Sequence, residues 1–173
     1  MKRHLRLTKR EFACFMRIAK PIAGDERVRR MVNYIQHGEK STYDHCLSVA
    51  YTAFLINRRL HIGADEKSLV KAALLHDYFL YDWHTRGDNL HGYHHPEIAS
   101  RNAEKDFDIS KGEKMMIETH MWPLTLFHMP RSKGAWVLTA ADKICSSREV
   151  LEHRLFQKRN KDSKNDRAQN DDK

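Results

Sequence analysis

The chain has 173 residues, 40% of them hydrophobic, with seven Gly and four Pro, which suits one domain with a real core and long helices. No apolar run approaches the roughly 20 residues of a bilayer span, and no apolar segment follows the basic start Met1-Lys2-Arg3-His4-Leu5-Arg6, so neither a membrane protein nor a secretory signal is expected. The net charge of +8 favours an anionic partner, a phosphate compound or nucleic acid, and three scattered cysteines, Cys14, Cys46 and Cys145, suit a reducing cytoplasm.

The segments read as helix throughout. Thr8 caps a first helix that Pro21 stops, and Asp25 caps a second that ends near His37-Gly38. Ser41 or Thr42 opens a third, with Leu47, Ala50, Tyr51, Phe54 and Leu55 at helical spacing and Gly63 past its end. Asp65 starts a fourth that runs through Leu69, Ala72, Ala73 and Leu75 into His76-Asp77. Residues 81–95 read as a polar, aromatic, His-rich loop, and Pro96 suits the first turn of a fifth helix. Ser110 and Glu113 have capping-box spacing for a sixth that Pro123 ends. A seventh covers about 132–156, and the polar segment 157–173 reads as a solvated, disordered tail. No alternating strand pattern is visible. The expected fold is an all-α bundle of six to seven helices in a single domain, 1–156.

Two carboxylates break the pattern of this bundle. Asp77 follows the apolar run Leu69 to Leu75, and Asp142 lies inside Ala135-Trp136-Val137-Leu138-Thr139-Ala140-Ala141. A carboxylate in such a setting is costly to bury unless a cation answers it. His45, His76, His95 and His120, with His94 beside His95, come from different elements and supply imidazoles. Carboxylate plus imidazole suits Zn, Fe, Mn, Co or Ni better than Ca or Mg. No cysteine is placed by spacing to join them, which argues against a closed structural zinc site. Two ions sharing Asp77 use the ligands better than one. Such a pair makes hydroxide from water at neutral pH and clamps the oxygens of a phosphate. Arginine or lysine partners for the two aspartates are the competing explanation.

The order His45, then Leu74-Leu75-His76-Asp77, then Ala141-Asp142-Lys143 resembles the HD superfamily of metal-dependent phosphohydrolases over about residues 41–150. The resemblance implies a divalent metal held by His45, His76, Asp77 and Asp142. His95-Pro96-Glu97-Ile98 and His120 look like the extra ligands of two-metal members, which implies a second ion on Asp77, His95 and His120. The pattern is similar to bacterial HD hydrolases that split diadenosine tetraphosphate symmetrically, and Arg148 matches a phosphate-contacting arginine there. Tyr78-Phe79-Leu80 stands where many members have Ile-Gly-Lys. Met121 follows His120, unlike the paired histidine of cyclic-di-GMP phosphodiesterases.

The expected activity is therefore hydrolysis of a nucleotide or dinucleotide phosphoester or anhydride by one or two divalent ions (Fe, Mn, Zn, Co, Ni or Mg). Beside Asp77, His84 and Lys143 are candidate catalytic groups, and Arg86, His91, His94 and Arg148 candidate phosphate contacts. Trp83, Trp122, Phe127 and Trp136 are expected in the core rather than stacked on a base. Glu118 and the Arg27, Arg29, Arg30 face are expected in solvent. Three other readings stay open: a one-metal nucleoside monophosphatase, a non-catalytic nucleotide or nucleic-acid binding module, and a metal-stabilised scaffold.

Overall fold

A computed structural model describes residues 6–37, 40–82 and 90–171, except the side chains of 37, 91 and 160–171. Helix α1 (Lys9–Ala23) opens on the expected cap: the Glu11 amide donates to Thr8 Oγ1 at 3.3 Å and the Thr8 amide to Glu11 Oε2 at 2.7 Å. Pro21 does not stop this helix. It lies in the last turn, where its missing N–H removes only one bond, and the Gly24 amide closes the end on Lys20.

The second segment differs most from expectation. Asp25 caps a single turn, α2 (Glu26–Arg29), and a 3-10 turn follows (Arg30–Asn33). The chain then becomes extended: β1 (Ile35–His37) pairs antiparallel with β2 (Lys40–Ser41). Val32, Tyr34 and Ile35 favour extended backbone over helix. The Thr42 amide and hydroxyl both donate to the Tyr34 carbonyl, at 2.7 and 3.1 Å, which holds the ribbon against the next helix.

Helix α3 (Thr42–Arg59), capped by Ser41, is the central rod. It buries His45, Cys46, Val49, Ala50, Ala53, Phe54 and Asn57, and packs chiefly on α4 (Glu66–Leu75) and α7 (Lys133–Asp171). Asp65 caps α4, whose Leu69, Val70, Ala72, Ala73, Leu74 and Leu75 are all buried. Small Ala72 and Ala73 bring α4 close to its neighbours. Helix α6 (Lys111–Thr119) packs on α4 and begins with the expected Ser110/Glu113 capping box. Helix α5 (His91–Phe107) lies against α6.

Helix α5 starts well before Pro96, so Pro96 sits in its second turn and His95 is helical instead of lying at a loop junction. Packing explains the early start. A Cβ on Gly92 would come within 2.9 Å of Leu124 Cδ2, so the first turn of α5 lies directly on the segment after α6. Helix α7 runs to Asp171, through the polar segment read as a disordered tail. No helix among the described residues is long and apolar enough to cross a membrane.

The aromatic core is not the expected set. Phe127 is 96% exposed and Trp136 43%, and half-buried Trp122 packs edge-on against Trp136. Trp83 lies outside the described residues. Phe15, Phe54 and Tyr78 fill the interior instead. Arg27 is exposed as expected, but it lies over the Phe107 ring and binds Asp25 and the Asp106 carbonyl. Glu118 is half-buried and accepts a bond from Ser100.

Candidate metal centre

Five elements deliver six side chains to one point in the interior. His45 comes from the first turns of α3, His95 from the second turn of α5, and Asp142 from the third turn of α7. His76 and His120 are the residues that end α4 and α6, and Asp77 follows His76 out of the helix. None of the six is more than 4% exposed.

The two helix-end histidines are oriented by the same device. The last carbonyls of a helix have no partner within it. His76 Nδ1–H donates to the Ala73 carbonyl at 2.8 Å, and His120 Nδ1–H to the Ile117 carbonyl at 2.7 Å. With a proton on Nδ1, each ring turns its Nε2 to the interior, the orientation a metal ligand requires. His45 has a side chain at the corresponding position: its Nδ1 lies 2.8 Å from Glu149 Oε2, and its Nε2 faces Asp142 Oδ1 at 3.2 Å.

The carboxylates sit between these nitrogens. Asp77 Oδ2 is 3.4 Å from His76 Nε2 and 3.8 Å from His45 Nε2. Its Oδ1 is 3.2 Å from His95 Nε2 and 3.6 Å from His120 Nε2. The His95 and His120 Nε2 atoms are themselves 3.0 Å apart. Since the His120 nitrogen carries a lone pair, a proton or a cation must lie between the two rings to make that contact favourable.

Burial opposes charge on these groups, and at Asp77, Asp142, His45 and His76 the neighbours override it. Burial would raise the Asp77 pKa, but His76, His95 and His120 hold it well below the usual carboxylate range. Asp142 is likewise held low, by His45 and His76. Burial would lower His45, but Asp142 and Glu149 lift it, and Asp77 lifts His76 well above the usual imidazole value. His120 goes the other way. Burial and the neighbouring His76 and His95 rings push it down to about 3, so it is neutral across the physiological range.

The donor set fits a divalent metal. Three groups of three, His45/His76/Asp142, Asp77/His95/His120 and Cys46/His76/Asp77, each place their ligand atoms within 4.8 Å of one another. Asp77 Oδ1 and His76 Nε2 are buried with no hydrogen-bond partner among the described residues. No arginine or lysine in the described structure pairs with Asp77. Lys143 does reach Asp142, Nζ to Oδ2 at 2.9 Å, with its side chain 39% exposed.

Two residues beside the cluster, Gln36 and Glu149, are absent from the sequence reading, and a third, Cys46, is one that reading leaves outside the site. Gln36 on β1 donates to Asp77 Oδ2 at 2.6 Å, and it was hidden because the ribbon was read as helix. Glu149 is seven residues after Asp142, so the helical period puts both on one face of α7, a signal that spacing alone offered. Cys46, which spacing did not bring to the site, packs its Sγ 3.7 Å from His76 Nδ1. Burial pushes its thiol pKa up, so it is a protonated neighbour and a poor ligand.

The sequence matches the HD domain family over residues 42–146. The chain belongs to the HD-domain family. HD domains bind divalent metals and are typically metal-dependent hydrolases. No curated protein and no solved structure matches the chain. All six clustered residues fall inside the matched HD domain, whereas Gln36 and Glu149 lie beyond its two ends.

The remaining candidates divide. His84 and Arg86 lie outside the described residues, as does the side chain of His91, the first residue of α5. His94 is exposed and belongs to none of the ligand groups. Arg148 is not at the centre: it pairs with Glu152 at 3.2 Å and lines a separate cavity of about 580 Å³ with Lys20 and Arg29. The 100° step of the helix explains this, since Arg148 lies six residues from Asp142 and points elsewhere.

Proposed function

We propose that this HD domain is a two-metal phosphohydrolase acting on a phosphoester or anhydride of a nucleotide or dinucleotide. One observation carries the reading. Asp77 turns one carboxylate oxygen to His45 and His76 and the other to His95 and His120, as a carboxylate shared by two ions does. Divalent ions held there would supply Lewis acidity, activating a water and neutralising charge on a phosphate.

The chain's own groups support an anionic substrate. Asp77 and Asp142 stay ionised and keep cations in place. Lys143 links the buried cluster to solvent and offers a positive charge to an arriving phosphate. The overall charge of +8 steers anions in the same direction. Gln36 holds the Asp77 carboxylate in one orientation through a bond to Oδ2, which leaves Oδ1 to the outer histidines.

The test is metal content per chain after anaerobic purification, followed by a panel of mononucleotides and dinucleoside polyphosphates with the metal found. Two ions in the wild type and one in His95→Ala are expected, with turnover falling accordingly. Equal metal in both proteins would instead point to a one-metal nucleotidase. No turnover on any nucleotide, together with nucleic-acid binding that falls steeply with salt, would replace the enzyme reading by a binding module.

A further inference from the structure

The His45 ring is gripped from both sides by one helix. On α7, Asp142 faces its Nε2 at 3.2 Å and Glu149, two turns on, faces its Nδ1 at 2.8 Å. A neutral imidazole has a single N–H, so the two carboxylates compete for it. If the proton is on Nδ1, Nε2 is open to a cation. If it is on Nε2, the ring donates to Asp142 and the same nitrogen is blocked.

We propose that Glu149 is the positioning residue that settles this competition, holding the proton on Nδ1 so that His45 and Asp142 both present lone pairs to the centre. The inference rests on reading His45 as a metal ligand. Three observations carry it. The Glu149 contact is the shorter of the two. Glu149 is 4% exposed, so its carboxylate is not shared with solvent. Its second oxygen is fixed by Lys40 Nζ at 3.2 Å, which also balances the buried charge.

The support is built into the fold. Lys40 belongs to β2, and the next residue, Ser41, caps α3 three residues before Asp44 and four before His45. Ribbon, helix cap and α7 therefore lock one ring in place. Gln36 on the same ribbon does the corresponding work for Asp77. The short β-ribbon is in this view the outer frame of the centre, although it lies outside the matched HD domain.

The experiment has two arms, neither of which reads activity. In the first, ring ¹⁵N NMR of metal-free protein, at an alkaline pH where imidazoles are neutral, locates the His45 proton. It is expected on Nδ1 in the wild type, on Nε2 in Glu149→Leu, and on Nδ1 again in Glu149→Gln, whose amide oxygen still accepts. In the second, chelator competition with Mn or Zn measures affinity. Losses of about 100-fold for Glu149→Leu and about 10-fold for Glu149→Gln are expected, the range for removing a group that orients a ligating histidine. An Nδ1 proton in Glu149→Leu, or unchanged affinity in Glu149→Gln, would overturn the assignment. If Glu149→Leu does not fold, the milder Gln variant decides through its affinity. Should the wild type bind no metal, the proposed function fails, and the proton position alone decides the role of Glu149.

Discussion

The two halves of the cluster hold the same residue type in opposite electrostatic states. In the inner half, His45 and His76 face Asp77 and Asp142, and their pKa values rise despite burial. In the outer half, His120 faces His76 and His95, and its value drops to about 3. Burial is common to both, so the sign of the neighbour decides. The inner half can balance its carboxylates with protons when no metal is bound. In the outer half two imidazole nitrogens meet at 3.0 Å beside one carboxylate oxygen, a contact that a proton or a cation between the rings must relieve.

The largest expected effect comes from the residue the halves share. Asp77→Asn keeps the shape and removes the charge, so bound metal and all turnover should be lost, read by elemental analysis and the nucleotide assay. Retention of an ion on the outer pair alone would show that the halves are independent. The packing beneath the inner half gives the next effect. Leu75 is fully buried directly before His76, and Leu75→Ala should cost about 2–5 kcal/mol in a denaturant titration. The matching change beside the outer half, Leu124→Ala at a residue 44% exposed, should cost much less. Equal losses would mean that the two halves are supported alike.

The smallest effect is on pH dependence and has opposite signs in the two halves. In the metal-free fold, His120 binds its proton only near pH 3, against 6.5 unfolded. Its contribution to stability is therefore present above about pH 6.5 and lost as pH falls from there toward 3. His45 and His76 have raised values, so their contribution is complete below about pH 6.5 and is lost as pH climbs through their folded values. Melting temperature against pH should thus fall less steeply on the acid side in His120→Gln than in the wild type, by a slope approaching one titrating proton. Superimposable curves would refute the contrast.

The all-α fold and the clustered residues were legible because charge inside an apolar run has few explanations. Asp77 and Asp142 announced themselves that way, and capping boxes at Thr8 and Ser110 set two helix starts. What escaped depended on contacts distant in sequence. The ribbon 35–41 is held by Thr42 bonding to Tyr34, which no local propensity encodes. Pro96 marked the wrong start for α5, because the close approach of Gly92 to Leu124 adds a turn ahead of it. Glu149 lies among polar residues; only the carboxyl-to-ring contact 104 positions away in sequence gives it a role.

His76 and His120 carry one more consequence. Their orienting partners are main-chain carbonyls of Ala73 and Ile117, and a peptide oxygen survives almost any side-chain replacement at those sites. Random mutagenesis should therefore find the aim of these two rings hard to abolish, while the aim of His45 hangs on a single codon. For protein engineers, a histidine planted at the exit of a buried helix is a portable building block, needing a free terminal carbonyl and no companion side chain.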